Sequence, residues 1–248
     1  MLLENRVAVI TGNPYGIGRV SAALFAKEGA RIVCIDDTEN DWASSDSTTT
    51  DALHILADVS DRRSIAAAVA QCEKAFDRVD ILFNLTGRTI KQTFEETTEE
   101  AWNDMIARNL TATFLCSQQF LPLMKKSSAG AIINHASIDG LLGNPSLAAY
   151  SAGKGGLIPL THVMAHELGR YGIRVNCIST GAIRDGDKAA RPEDASRVRV
   201  TPLRRTGTPE DVARTALFLA CEWSSYITGT NIVVDGGRTA ITQGCFED

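Results

Sequence analysis

The sequence predicts a doubly wound α/β domain, a seven-stranded parallel sheet with helices on both faces, formed by residues 1–248 as one unit. Short β-branched runs alternate with longer helical patterns. Those runs are apolar almost throughout, as strands covered on both faces are. No linker rich in Pro, Ser or Gly divides the 248 residues, so one core is expected rather than two.

In chain order, strands are expected at 6–11, 31–36, 52–58, 79–85, 130–137, 173–179 and 230–236. The first helix runs over 18–28 and ends at Gly29, and a second covers 63–76. A long third pattern spans 99–126 and should bend or stop near Leu121, because Pro122 lacks the N–H that the helix needs. A fourth covers 148–171, closed by Gly172, and a fifth 209–221. Two stretches escape the pattern. Residues 37–51 are polar and turn-rich, read as a surface loop or short helix. Residues 184–205 follow the carboxyl end of the sixth strand, where ligands of open parallel sheets bind, and read as a substrate loop or lid.

A formal net charge of −5 argues against general affinity for nucleic acid or anionic membranes, which need clustered Lys and Arg. No signal peptide is expected, and no apolar run reaches the roughly 18 residues of a spanning segment. The six cysteines are spaced singly, without a zinc or redox pattern, which fits reduced thiols in the cytoplasm. Without a secretory signal, the N-x-T matches at Asn84 and Asn109 are not expected to carry glycans.

Between the first strand and first helix stand Gly12, Gly16 and Gly18, spaced G-x-x-x-G-x-G. Glycine lets a backbone approach a diphosphate, and the helix N-terminus supplies unpaired N–H groups and a positive dipole end. A tight structural turn is the bland alternative. An acid should follow at the end of the second strand, and Asp36 stands there. Its carboxylate suits both hydroxyls of an adenosine ribose and repels a 2′-phosphate. Asp37 adds negative charge and Tyr15 in the glycine loop has no neighbouring Arg or Lys, so NAD is favoured over NADP.

Tyr150 and Lys154 lie four apart, on one face of the fourth helix. A nearby ammonium favours the phenolate over the phenol, whose ordinary pKa is about 10, and so makes tyrosine a usable acid/base. An isolated Y-x-x-x-K match is more often a solvated helix face. Gly153, Gly155 and Gly156 share this stretch, and so much glycine in a helix points to close packing against the sheet or another helix.

Taken together, these motifs resemble the short-chain dehydrogenase/reductase family over nearly the whole chain, which implies a Rossmann-type fold. TGNPYGIG resembles its cofactor loop, assigning Gly12, Asn13, Tyr15, Gly16, Ile17 and Gly18 to the cofactor. ADVS places Asp58 and Val59 at the adenine, and NLTG carries Asn84 and Gly87. RNLTATF supplies Asn109, HASIDG supplies Ser137 and YSAGK supplies Tyr150 and Lys154. The resemblance implies hydride transfer between NAD(H) and a secondary alcohol or ketone. Tyr150 is the general acid/base, Ser137 a donor to the substrate oxygen, Lys154 the group that tunes Tyr150 and holds the nicotinamide ribose, and Asn109 the anchor of a relay water. It also implies cofactor contacts at Gly181 and Ile183, and a homo-oligomer, usually a tetramer. Thr180 replaces the family's proline, and Asp185 stands where a threonine is usual. Substrate contacts are expected from Ser137, Asp139, Leu141, Asn144, Tyr150 and Arg184, with Leu142 and the lid helping to line a largely apolar pocket.

Rival readings are an NADPH-dependent 3-oxoacyl-thioester reductase with the same tetrad, and a non-catalytic dinucleotide-binding regulator. His162 and His166 are spaced for a metal but have no third ligand, so no metal site is expected. Ser151 and Lys154 form an S-x-x-K match without the companion motifs of a hydrolase. Arg88, just beyond NLTG, and the loop residues Arg184, Lys188, Arg191, Arg197 and Arg199 could meet an anionic substrate, but the loop also holds Asp185, Asp187, Glu193 and Asp194 and reads rather as a solvated mixed-charge lid.

Overall fold

Alternate residues of the first strand, Val7–Thr11 (β1), feed two different cores: Val7 and Val9 pack on one side of the sheet, Ala8 and Ile10 on the other. The structure, a computed structural model, describes residues 1–12, 16–38, 51–184 and 192–240, without the side chains of 192–194. Asn13, Tyr15, Asp185, the first part of the lid and Cys245 therefore lie outside the described residues.

Six further strands follow: Arg31–Asp36 (β2), Leu53–Leu56 (β3), Ile81–Asn84 (β4), Gly130–Ser137 (β5), Ile173–Thr180 (β6) and Asn231–Val234 (β7). They form one parallel sheet in the order β3-β2-β1-β4-β5-β6-β7. Ile17–Lys27 (α1) covers one face, joined there by Pro209–Ala220 (α8). Arg62–Ala75 (α2), Ala112–Met124 (α4) and Ala148–Leu168 (α6) cover the other. The strand order reverses between β1 and β4, which opens a crevice at their carboxyl ends.

Helix starts follow local chemistry. Asp61 accepts from the Ser64 N–H at 2.8 Å to cap α2. Thr208 and Asp211 form a reciprocal capping box ahead of α8, with Pro209 at its first position.

The expected third helix is instead three pieces: Glu99–Ile106 (α3), a π-helical turn at Ala107–Thr111, and α4. Pro122 does not stop it where expected, since α4 continues to Met124. Leu123 and Met124 are fully buried, worth about 3–6 kcal/mol together, against about 3 kcal/mol for a helical proline. Two short helices went unforeseen, Asp139–Leu142 (α5) after β5 and Pro192–Arg199 (α7) within the stretch 184–205 expected as a loop.

The glycines of α6 are explained by close packing. A Cβ on Gly140 of α5 would lie 2.6 Å from the Gly155 nitrogen, and one on Gly155 would lie 2.9 Å from the Gly140 carbonyl oxygen. Both obstacles are main chain and cannot turn aside. At Gly156 the obstacle, 2.9 Å away, is only the tip of Leu110. Gly140→Ala is therefore expected to lose about 1–3 kcal/mol in chemical denaturation, whereas Gly156→Ala stays near neutral; equal losses would refute this account.

Candidate active site

The crevice between β1 and β4 holds a cavity of about 250 Å³ lined by Gly12, Asp36, Asp37, Gly87, Arg88 and Arg108. Gly12 has φ +76°, and a Cβ there would sit 2.9 Å from the Thr86 Cα. Only glycine lets the ends of β1 and β4 approach so closely. Gly16 is the N-cap of α1, which begins at Ile17 and includes Gly18, and it offers no capping side chain to the first N–H groups of the helix.

Asp36 ends β2. The Thr38 hydroxyl and, at 3.0 Å, its N–H both donate to the Asp36 carboxylate. Burial pushes that carboxyl up, the Thr38 hydrogen bonds pull it down, and the Asp37 charge adds to the rise. Asp58 and Val59 line an adjoining crevice with Asp36. The Asp58 carboxylate is held by the Ser60 hydroxyl and N–H at 2.6 and 2.8 Å, and the hydroxyl bond does most to hold it below its ordinary pKa.

The surroundings of Tyr15 lie outside the described residues, but the helical side of the crevice supplies a basic residue. Arg108, from the π-helical turn, enters the same cavity and bonds Asp37 at 3.1 Å and Asp104 at 2.9 Å. Its neighbour in sequence, Asn109, was the legible residue; the side chain of Arg108 points the other way around the turn.

Asn84 is not brought to the cavity by its side chain. Its amide donates to Ser117 at 3.1 Å and Asn134 at 3.0 Å, inside a ladder that continues from Asn134 to Thr161. Residue alternation in β4 puts Asn84 on the same side as Leu82, toward α4 and α6. Neither Asn84 nor Asn109 is accessible to a glycan.

Asn109 clamps the chain beyond β4. Its amide donates to the carbonyls of Arg88 and Met105, each at 2.9 Å, and its oxygen accepts from the Arg88 N–H at 3.2 Å. Gly87 lies under this clamp, and a Cβ there would stand 2.7 Å from Asn109 Oδ1 and 2.9 Å from Lys154 Nζ. Asn109, Gly87 and Lys154 are thus neighbours, as the resemblance requires.

Tyr150 and Ser137 line a second cavity, of about 390 Å³, beyond the ends of β5 and β6. Ser137 and Thr89 line the same cavity as the Tyr150 hydroxyl and favour its phenolate form. Burial nevertheless raises its pKa, opposed by those two neighbours and reinforced by the Asp139 charge. The expected lowering by Lys154 is not found. Lys154 is buried, its Nζ donates to the His135 carbonyl at 2.7 Å, and burial brings its own pKa down to about 8. His135 is itself held neutral by burial and by the Lys154 charge, and its Nε2 pairs with Thr180 Oγ1 at 3.1 Å. That contact gives Thr180 a partner which the family's proline lacks.

Of the residues expected at the substrate, Asp139 and Asn144 line the second cavity and Leu141 and Arg184 do not; Gly181 and Ile183, expected at the cofactor, line it too. Leu141 and Leu142 sit on exposed positions of α5. The pocket is polar rather than largely apolar, since Lys91, Arg197 and Arg238 join Asp139 in its wall. Sequence reasoning missed Thr89, Lys91 and Arg238, although the rule that ligands lie beyond strand ends would have pointed to Arg238, just past β7. A neighbouring cavity of about 590 Å³ shares Ala182 and Ile183 but not Tyr150.

Other readings find less support. Ser151 Oγ is buried without a hydrogen-bond partner, so it is not wired to Lys154. His162 and His166 are exposed on α6. Among the described residues no His, Cys, Asp or Glu cluster could hold a metal, and no helix is long and apolar enough to cross a membrane.

Gly12 and the start of α1 at the strand-order reversal, with the half-buried Tyr150 beside Ser137 in the cavity at the next strand ends, define a nicotinamide-dependent oxidoreductase site. The family model described as enoyl-(acyl carrier protein) reductase matches residues 11–239. An uncharacterized oxidoreductase of Bacillus subtilis is 39% identical, over 97% of this chain and 93% of that protein. A 3-oxoacyl-[acyl-carrier-protein] reductase of Thermotoga maritima is 36% identical, over 96% and 99%. A 3alpha-hydroxysteroid dehydrogenase of Mediterraneibacter gnavus is 34% identical, over 95% and 98%. The chain belongs to the short-chain dehydrogenase/reductase family and is an oxidoreductase with a nicotinamide dinucleotide cofactor.

Proposed function

We propose that the protein is an NAD(H)-linked dehydrogenase of secondary alcohols that also reduces the corresponding ketones. The Tyr150 hydroxyl, set beside Ser137 and Thr89 on the wall of the 390 Å³ cavity, carries the reading. The dinucleotide, when bound, supplies or accepts the hydride. Gly12, Asn13, Tyr15, Gly16, Ile17 and Gly18 would hold its diphosphate end, Asp36 its adenosine ribose, and Asp58 and Val59 the adenine. Asn84, Gly87, Lys154, Gly181 and Ile183 would hold the rest, Asn84 through its main chain.

In reduction, Tyr150 gives its proton to the ketone oxygen while Ser137 donates a hydrogen bond to the same atom, stabilising the charge that develops there. In oxidation Tyr150 takes the hydroxyl proton. Because burial favours its phenol form, reduction starts from the dominant state and oxidation accelerates as pH rises. Lys154 and Asn109, which both crowd the Cβ position of Gly87, continue the proton path away from Tyr150.

NAD is preferred because the Asp36 carboxylate lines the cavity that would take the ribose. Titration is expected to show NADH binding more tightly than NADPH, and Asp36→Ala should shift that ratio toward NADPH by about tenfold or more. Tighter binding of NADPH by the unaltered protein would remove this role. That outcome would favour the second reading, an NADPH-dependent 3-oxoacyl-thioester reductase, for which Arg88 and Arg108 in the same cavity speak.

Exposed Trp102, Phe114 and Val163 on α3, α4 and α6 support a homo-oligomer, proposed as a tetramer built on these helices. Five buried free cysteines fit the cytoplasm. The lid begins beside Ile183 and contributes Arg197 to the cavity.

A further inference from the structure

We infer that the substrate is an anion, a small hydroxy or keto acid whose carboxylate is held by Arg238 and Lys91 while its carbinol or carbonyl oxygen meets Tyr150 and Ser137. This deepens the proposed function and rests on it. Lys91, Arg197 and Arg238 line the cavity that contains Tyr150, with Asp139 as the one acid among its described lining residues. The excess of positive charge is local, because the chain as a whole carries −5.

The nearby acids are already engaged. Asn144 donates to the Asp139 carboxylate at 3.0 Å. Asp235, three residues before Arg238, turns its carboxylate to the N–H groups of Gly237 and Thr239 at 2.8 and 2.7 Å. Those bonds fix the turn after β7 that carries Arg238 over the strand ends. Among the described residues no carboxylate pairs with Arg238 or with Lys91. A half-buried guanidinium at a cavity wall, with its neighbouring acid spent on the main chain, is a receptor for a planar anion such as a carboxylate.

A volume of about 390 Å³ lies at the small end of ligand sites and suits a compact acid better than a long chain. Mixed charge on the lid surface does not produce this arrangement, since Arg238 and Lys91 come from outside the lid.

The test compares 2-, 3- and 4-hydroxypentanoate, each against its methyl ester, by NADH formation in the full-length protein. At least one acid is expected to exceed its ester in kcat/KM by about 10–100-fold. Arg238→Ala should reduce that acid-over-ester ratio tenfold or more, chiefly through KM, and Arg238→Lys should retain most of it. Lys91→Ala should reduce it less, because Lys91 is exposed. Turnover of the esters with a ratio near one overturns the carboxylate inference and leaves the dehydrogenase reading standing. A ratio that survives Arg238→Ala overturns the assignment of the receptor. No turnover of any acid, ester or neutral secondary alcohol with either cofactor overturns the proposed function itself, and the inference with it. Preference for a 3-oxoacyl thioester over the free acids supports the second reading and refutes the small-anion inference.

Discussion

Tyr150→Phe is expected to lower kcat by about 10²–10⁴-fold on the best substrate while binding of NADH persists. The substitution removes one oxygen from a half-buried ring, so melting should move little. The lost oxygen is the one that faces Ser137 and Thr89 in the cavity. Ser137→Ala should cost less, about 10²–10³-fold, because it removes a donor to the developing charge and leaves the proton-transfer group intact. Steady-state kinetics alongside NADH titration separates the two effects. Unchanged turnover in Tyr150→Phe would falsify the mechanism and favour the dinucleotide-binding regulator.

Lys154→Met is expected to trade activity for stability. Folding brings the Lys154 pKa from its ordinary 10.5 down to about 8, so the folded chain binds fewer protons than the unfolded one between those values. Stability linked to Lys154 therefore rises with pH in that window. Below pH 8 the buried ammonium weighs on the fold by on the order of 3 kcal/mol, less what the His135 carbonyl returns. Lys154→Met should thus be more stable than the unaltered protein at pH 7, and the gap should close toward pH 10.5. Buried Cys72 and Cys177, pushed up to about 11, act in the opposite direction above about pH 9. Cys72 is common to both proteins, but the Lys154 charge itself lowers the Cys177 and His135 pKa values, so its own contribution is read between about pH 8 and 9, above the His135 titration and below those of the thiols. A gap independent of pH would show that the lysine is not neutralised by burial.

Much of the sheet was legible because strands covered on both faces are written as unbroken apolar runs, and each lies within a few residues of its expected limits. Helices α2 and α8 announce themselves through Asp61 and the Thr208–Asp211 pair. The tetrad was legible as a set of spacings, yet its electrostatics were not. Tyr150 and Lys154 share a helix face, but the field at the phenol depends on burial and on Asp139, brought there by α5. Asn84 shows a related limit, since its motif pointed to the cofactor and strand alternation turned its amide into the core. Arg108 and Arg238 were missed because each reaches its cavity through a feature of backbone geometry, the π-helical turn in one case and the Gly236–Gly237 reversal in the other. The split of the third helix had no local mark, because Asn109 bonds to Arg88 across a gap of 21 residues.

The π-helical turn at Ala107–Thr111 also sets a phase. One such turn takes up the equivalent of a single extra residue, so α3 and α4 are offset by about 100° from the faces that an unbroken α-helix would present. Below the turn α3 meets α6, and above it α4 meets α2. Deleting one residue within the turn would restore an ordinary helix and bring both halves into step. Neither neighbour could then be met without rotating the other away, and the Asn109 clamp would swing off Arg88 with them. The irregular turn is the gear that lets one segment of chain mesh with two surfaces at once.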